Sequence, residues 1–180
     1  QTITKLTEII KYRNLLLSLT LLLTFVVSCG QVKETKPLTR ANKMEDFEKL
    51  LNATFPFVEE LLKKYGEFFP LASAIYKNDS IAQVGTYDGN EQPSSDKVIA
   101  DLKAGLKDGA KKGNYKATAI FYDVRVIDPN TNQKTDAVAV LVENNTVAYK
   151  LFFPYTLTKD NVPTFGESWR NDAEKEIFNK

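Results

Sequence analysis

Asp123, Arg125, Glu143 and Lys150 lie on three segments that read as strands, and strand pairing is what could bring them together in this 180-residue chain. Two carboxylates beside a guanidinium and an ammonium can do acid–base work when burial moves one carboxyl toward neutrality. The plainer reading is a half-exposed sheet face whose ion pairs are worth about 0–1 kcal/mol each. No nucleophile accompanies the four, which favours binding over catalysis. The chain has no histidine and one cysteine, Cys29. That removes the usual neutral-pH base, every Ser-His or Cys-His pair, cysteine-rich zinc sites and any intramolecular disulfide. No catalytic residue, metal or cofactor is expected.

Three shorter motifs give way to simpler explanations. Ser94-Ser95-Asp96-Lys97 matches S-x-x-K of penicillin-recognising enzymes, but the companion elements are missing, and a helix N-cap followed by a solvated lysine accounts for it. Asp128-x-Asn130-x-Asn132 opens like a calcium loop, yet Gln133 stands where glycine is needed and Ala139 where the bidentate carboxylate belongs. Asp88 and Glu91, in the loop Asp88-Gly89-Asn90-Glu91, gather acceptors beside a helix start. They are candidate binding residues, although the same residue types serve any turn.

The elements that must position these groups follow from hydrophobic spacing. From Met44, Phe47, Leu50, Leu51, Phe55, Val58, Leu61, Leu62 and Tyr65 recur at helical steps, with a kink or restart expected at Pro56 and an end at Gly66. Residues 70–77 and 80–87 read as a hairpin turning at Asn78-Asp79. A second helix spans 95–112, capped by Ser94 or Ser95 and closed by Gly113. Long strands follow at 115–127, 135–143 and 146–155.

A two-residue turn at Asn144-Asn145 would pair Glu143 with Thr146, Val140 with Tyr149 and Val138 with Leu151. Placing Asp128 opposite Asp136 would pair Val124 with Val140 and Tyr122 with Val142. One face would then hold Ile120, Tyr122, Val124, Val126, Val138, Val140, Val142, Tyr149, Leu151 and Phe153, covered by both helices. The other would hold alanines, Phe121, Leu141, Phe152, Asp123, Arg125, Glu143 and Lys150, with the tail, anchored at Phe165, Trp169, Ile177 and Phe178, lying across part of it. The expected fold is α+β: one domain, about five mainly antiparallel strands packed on two helices.

Hydrophobic residues make up 43% of the chain and charged ones 26%, enough for a real core. The net charge is +1 and the basic residues form no stripe with interleaved aromatics, so no nucleic-acid partner is expected. Before the domain, Lys5, Lys11 and Arg13 precede the uncharged stretch 14–28, "NLLLSLTLLLTFVVS". This is the pattern of a secretory signal, shorter than the ~20 apolar residues of a spanning helix. Its end, Val26-Val27-Ser28-Cys29, resembles the bacterial lipobox. The resemblance implies cleavage before Cys29, diacylglycerol on its sulfur and a fatty-acyl chain such as palmitate on the new amino terminus. Several acyl chains at ~0.8 kcal/mol per buried CH₂ give stable anchoring. The expected organisation is a signal peptide at 1–28, a tether at 29–42 and the domain at 43–180, lipid-anchored in the cell envelope outside the cytoplasm. Asn52-Ala53-Thr54, Asn78-Asp79-Ser80 and Asn144-Asn145-Thr146 fit the N-glycosylation pattern, which chance accounts for in a bacterial protein.

The segments "KYGEFFPLASAIYKN", "GTYDGN", "IFYDVRVIDPNTNQKTDAVAVLVEN" and "KLFFPY" resemble a family of small uncharacterised bacterial α+β proteins over residues 60–156. The resemblance implies a fold and a bacterial origin but no activity. Some members occur near toxin systems, which implies immunity against a toxin as an alternative role. The expected function is a non-catalytic binding module with a membrane anchor and a protein partner. A carboxylate-based hydrolase is the remaining alternative.

Overall fold

The computed structural model describes residues 40–86, 89 and 93–179. Its elements are helix α1 (Arg40–Tyr65), strands β1 (Leu71–Tyr76) and β2 (Ile81–Val84), helix α2 (Ser95–Lys111), then β3 (Tyr115–Ile127), β4 (Lys134–Asn144), β5 (Ala148–Leu157), β6 (Pro163–Phe165) and β7 (Trp169–Asp172). The strands pair antiparallel in the order β2-β1-β3-β4-β5-β6. β7 also pairs with β5, against Tyr149–Phe152, while β6 takes Tyr155–Leu157. The α+β class and the single domain are as expected, with two short strands added by the tail. Among the described residues no helix is long and apolar enough to cross a membrane.

The helices end where the sequence places their stops. Ser94 caps α2 by accepting the Lys97 amide hydrogen at 3.4 Å, and Gly66 and Gly113 follow α1 and α2 with φ of 79° and 71°, where a side chain would be strained. Pro56 does not restart α1, which runs through it. Asn52 and Pro56 are both exposed, so the carbonyl deprived of its partner lies on the solvent side.

The helices lie on opposite faces of the sheet, which corrects the expectation that both cover one. Phe47, Leu50, Val58 and Leu62 of α1 are buried with Ile75, Ala117, Phe121, Val138, Val140 and Tyr149. Val98, Leu102 and Leu106 of α2 are buried with Ala72, Ala74, Ile120 and Leu141. Each fully buried aliphatic or aromatic side chain contributes about 1.5–3 kcal/mol. Neither face of the sheet interior can therefore be left wet, and β4 is buried from Ala137 to Asn144 on both sides.

Register explains the error. Arg125 pairs with Asp136 and Tyr122 with Ala139, three positions from the expected alignment of β3 and β4. An odd slip transposes one strand's faces relative to its neighbour. The loop sets this slip: Asp128 accepts the amide hydrogens of Asn130 at 2.7 Å and Asn132 adopts φ 56°, so six residues connect the strands. At β4–β5 the slip is two, pairing Glu143 with Ala148 and Val140 with Leu151, and the faces survive. There Asn144 Oδ1 accepts from Thr146 and Val147, making a longer turn than two residues.

Candidate functional site

The transposed register separates the four charged residues expected on one face. Asp123 and Arg125, odd positions of β3, share the α1 face with Val138 and Asp136. Glu143 and Lys150 lie on the α2 face, Glu143 opposite Thr118 and Lys150 opposite Leu141. The paired carboxylates that acid–base chemistry would have required therefore stand on opposite sides of the sheet. Asp88 and Glu91 lie outside the described residues, as does Cys29.

On the α1 face, Tyr155 donates its hydroxyl hydrogen to Asp123 Oδ1 at 2.9 Å. Burial holds the Asp123 carboxyl above the usual carboxylate range; the Tyr155 bond opposes this, and Asp136 and Glu67 add to it. Burial and the neighbouring Asp123 charge also push the Tyr155 phenol upward. Arg125 reaches Asp136 at 3.8 Å with both side chains largely in solvent, a geometry worth little. The two form a local hydrogen-bonded pair, Tyr155 buried and Asp123 partly so.

On the α2 face the tail builds something different. After β7 the Ala173 amide hydrogen goes to the Ala148 carbonyl at 3.1 Å, and the chain turns over the end of β4. Glu143, with no exposed surface, accepts the amide hydrogens of Glu176, Ile177 and Phe178 at 2.6–3.0 Å. Three converging N–H groups satisfy a carboxylate that would otherwise be costly to bury. Ile177 is fully buried in the α2 core, so the last residues are pinned by packing as well. Lys103 of α2 pairs with Glu176 at 2.7 Å, and Lys175 donates to the Asn145 carbonyl at 3.1 Å. Trp169 stacks on Phe152 with centroids 5.1 Å apart. It covers that ring at the edge of the sheet, while Glu143 is covered by residues 176–178.

Between α2, the strands and this segment lies a cleft of about 630 Å³. Ile120 and Leu141 give it an apolar floor. Tyr122, Lys150 and Asn171 rise from the strands, Asp96, Ile99 and Lys103 from α2, and Asp172, Ala173, Glu174 and Glu176 form the tail wall. Its size falls within the range of small-molecule sites, about 300–1,000 Å³. Lys150 is half-buried there, opposite Asn171, and among the described residues it makes no ion pair. Of the expected site residues that are described, only Lys150 lines the cleft; Glu143 holds its wall from beneath. The tail lies on the Glu143 and Lys150 face as expected, but its acids Glu174 and Glu176 carry no periodic pattern and were not among the expected site residues. The signal present in the sequence was the apolar pair Ile177-Phe178 ending a charged run.

Among the described residues no group of three or more Cys, Asp or Glu side chains is arranged to hold a metal ion. Compared with protein-family models, with curated proteins and with solved structures, the chain shows no match.

Proposed function

We propose that this chain is a lipid-anchored binding module of a bacterial cell envelope, attached through Cys29 and acting by capture rather than catalysis. The anchor rests on the lipobox-like Val26-Val27-Ser28-Cys29 behind its charged and apolar segments. The binding role rests on one observation, the cleft between α2 and the carboxy-terminal segment, with charged groups of both signs over an apolar floor. Separation of Asp123 from Glu143 supports capture over acid–base chemistry.

Two measurements test the two halves. In cells grown with labelled palmitate, the full chain should take up label and sediment with membranes, and Cys29→Ala should do neither; equal fractionation of both would sink the anchor. In pull-downs from envelope extract, Lys150→Ala and Glu174→Ala should reduce capture while Arg125→Ala, on the other face, should not. Capture insensitive to both cleft substitutions would remove the cleft as the site.

A further inference from the structure

On the reading that this cleft is the binding site, we propose that it takes a small zwitterion: an amino acid or short peptide with a free carboxylate and a free amine. The argument is a charge inventory. Lys103 and Glu176 neutralise each other at 2.7 Å, which leaves Lys150 against Asp96 and Glu174 in the same lining, since Asp172, paired with Tyr149, falls on the α1 side of β7.

Lys150 is the unusual member. The residue is half-buried in register with Leu141, yet among the described residues no carboxylate pairs with it although Asp96, Glu174 and Glu176 line the same hollow. A cation with no carboxylate partner in such a hollow favours an incoming anion. The Asn171 amide, in register with Lys150 on β7, offers further hydrogen-bond donors to that anion.

The acids are on the outside. Glu174 and Asp96 are exposed, and Asp96 by itself is accounted for by the first turn of α2, where a negative charge complements the helix end. A simple anion would have to pass these carboxylates, and a simple cation would meet Lys150 on arrival. A ligand with its carboxylate inward and its ammonium outward satisfies both, so like-charge repulsion selects against either half alone.

The test is calorimetric or NMR titration of the full chain with trialanine, with N-acetyl-trialanine and with trialanine amide. Trialanine should bind, and each blocked form should bind at least about tenfold more weakly. Lys150→Met, close in length, should bind trialanine as weakly as wild type binds the amide, and Glu174→Gln should lessen the penalty of acetylation. Equal binding of blocked and free forms, or of the free form to wild type and Lys150→Met, would overturn the proposal. Absence of trialanine binding while Lys150→Ala still reduces capture from envelope extract would overturn the zwitterion and leave the cleft standing. Absence of both effects would overturn both.

Discussion

Glu143 accepts the Ile177 amide hydrogen through both carboxylate oxygens, at 2.9 and 3.0 Å, and neither residue has exposed surface. A side chain near the end of β4 thereby decides where residues 176–178 lie, and with them one wall of the cleft.

Glu143→Ala removes the acceptor for three amides. Each buried donor left unpaired costs about 1–3 kcal/mol, and the part-buried Glu176 and Phe178 amides can turn to water, so a loss of about 2–3 kcal/mol is expected in urea unfolding. Hydrogen exchange at 173–179 should rise well above that of β3 and β4. Glu143→Gln keeps one oxygen acceptor and should lose less. Unchanged exchange at the tail in Glu143→Ala would show that Ile177 packing alone holds it.

Asp123 gives a pH dependence of definite sign. Its carboxyl is held above the usual range, chiefly by burial, so the folded state keeps the proton to higher pH than the unfolded state. Stability therefore falls as pH rises from the ordinary carboxylate range through the raised value, and is flat on either side of that window as far as this group is concerned. Asp123→Asn keeps an oxygen for the Tyr155 hydroxyl and abolishes the titration. Wild type should lose stability relative to Asp123→Asn between acid and neutral pH in denaturant titrations; parallel curves would refute the assignment.

Gly109 is buried in α2, and a Cβ there would lie 2.7 Å from Tyr115 Cζ and 2.9 Å from its Oη. Tyr115 is itself held edge-on to Tyr76 with centroids 5.0 Å apart. Gly→Ala in an open helix position would gain about 1 kcal/mol. Here overpacking reverses the sign, and Gly109→Ala should cost about 1–3 kcal/mol in thermal unfolding. Adding Tyr115→Leu should recover part of the loss, and a stabilised Gly109→Ala would contradict the close approach.

Thr54 donates its hydroxyl hydrogen to Ser73 Oγ at 2.9 Å between α1 and β1, with neither residue exposed. Ser73→Ala leaves the Thr54 hydroxyl without that acceptor and should cost about 1–3 kcal/mol. The double variant Thr54→Val, Ser73→Ala removes both polar groups at similar volume and should regain much of it. A double variant less stable than Ser73→Ala alone would argue against that account.

Much of the local structure was legible because it rests on local physics. Apolar spacing located both helices, Ser94 and Gly113 bounded the second, and alternation with β-branched residues located β3, β4 and β5. A restart at Pro56 does not occur, and Phe55 before it is held in the helix by packing, its ring 4.9 Å from Phe153 and 5.2 Å from Phe165. Residues 163–172 were unreadable as strands because β6 and β7 are short, mostly polar, and exist by pairing with the edge of β5.

The sequence by itself determined the α+β class, the residue types available for chemistry and the helix ends, since these depend on composition and on neighbours a few positions away. Only the tertiary structure decided which side chains meet. Asp123 and Glu143 were expected together, and the loop from Asp128 to Gln133 placed them on opposite faces through a slip of three residues. In a sheet of period two, face identity depends on the parity of that slip, and parity is set by loop geometry and by burial on both sides of β4. The same tertiary context turned Glu143 from a candidate surface acid into the anchor of the tail, and left Lys150 facing a cleft that the tail completes.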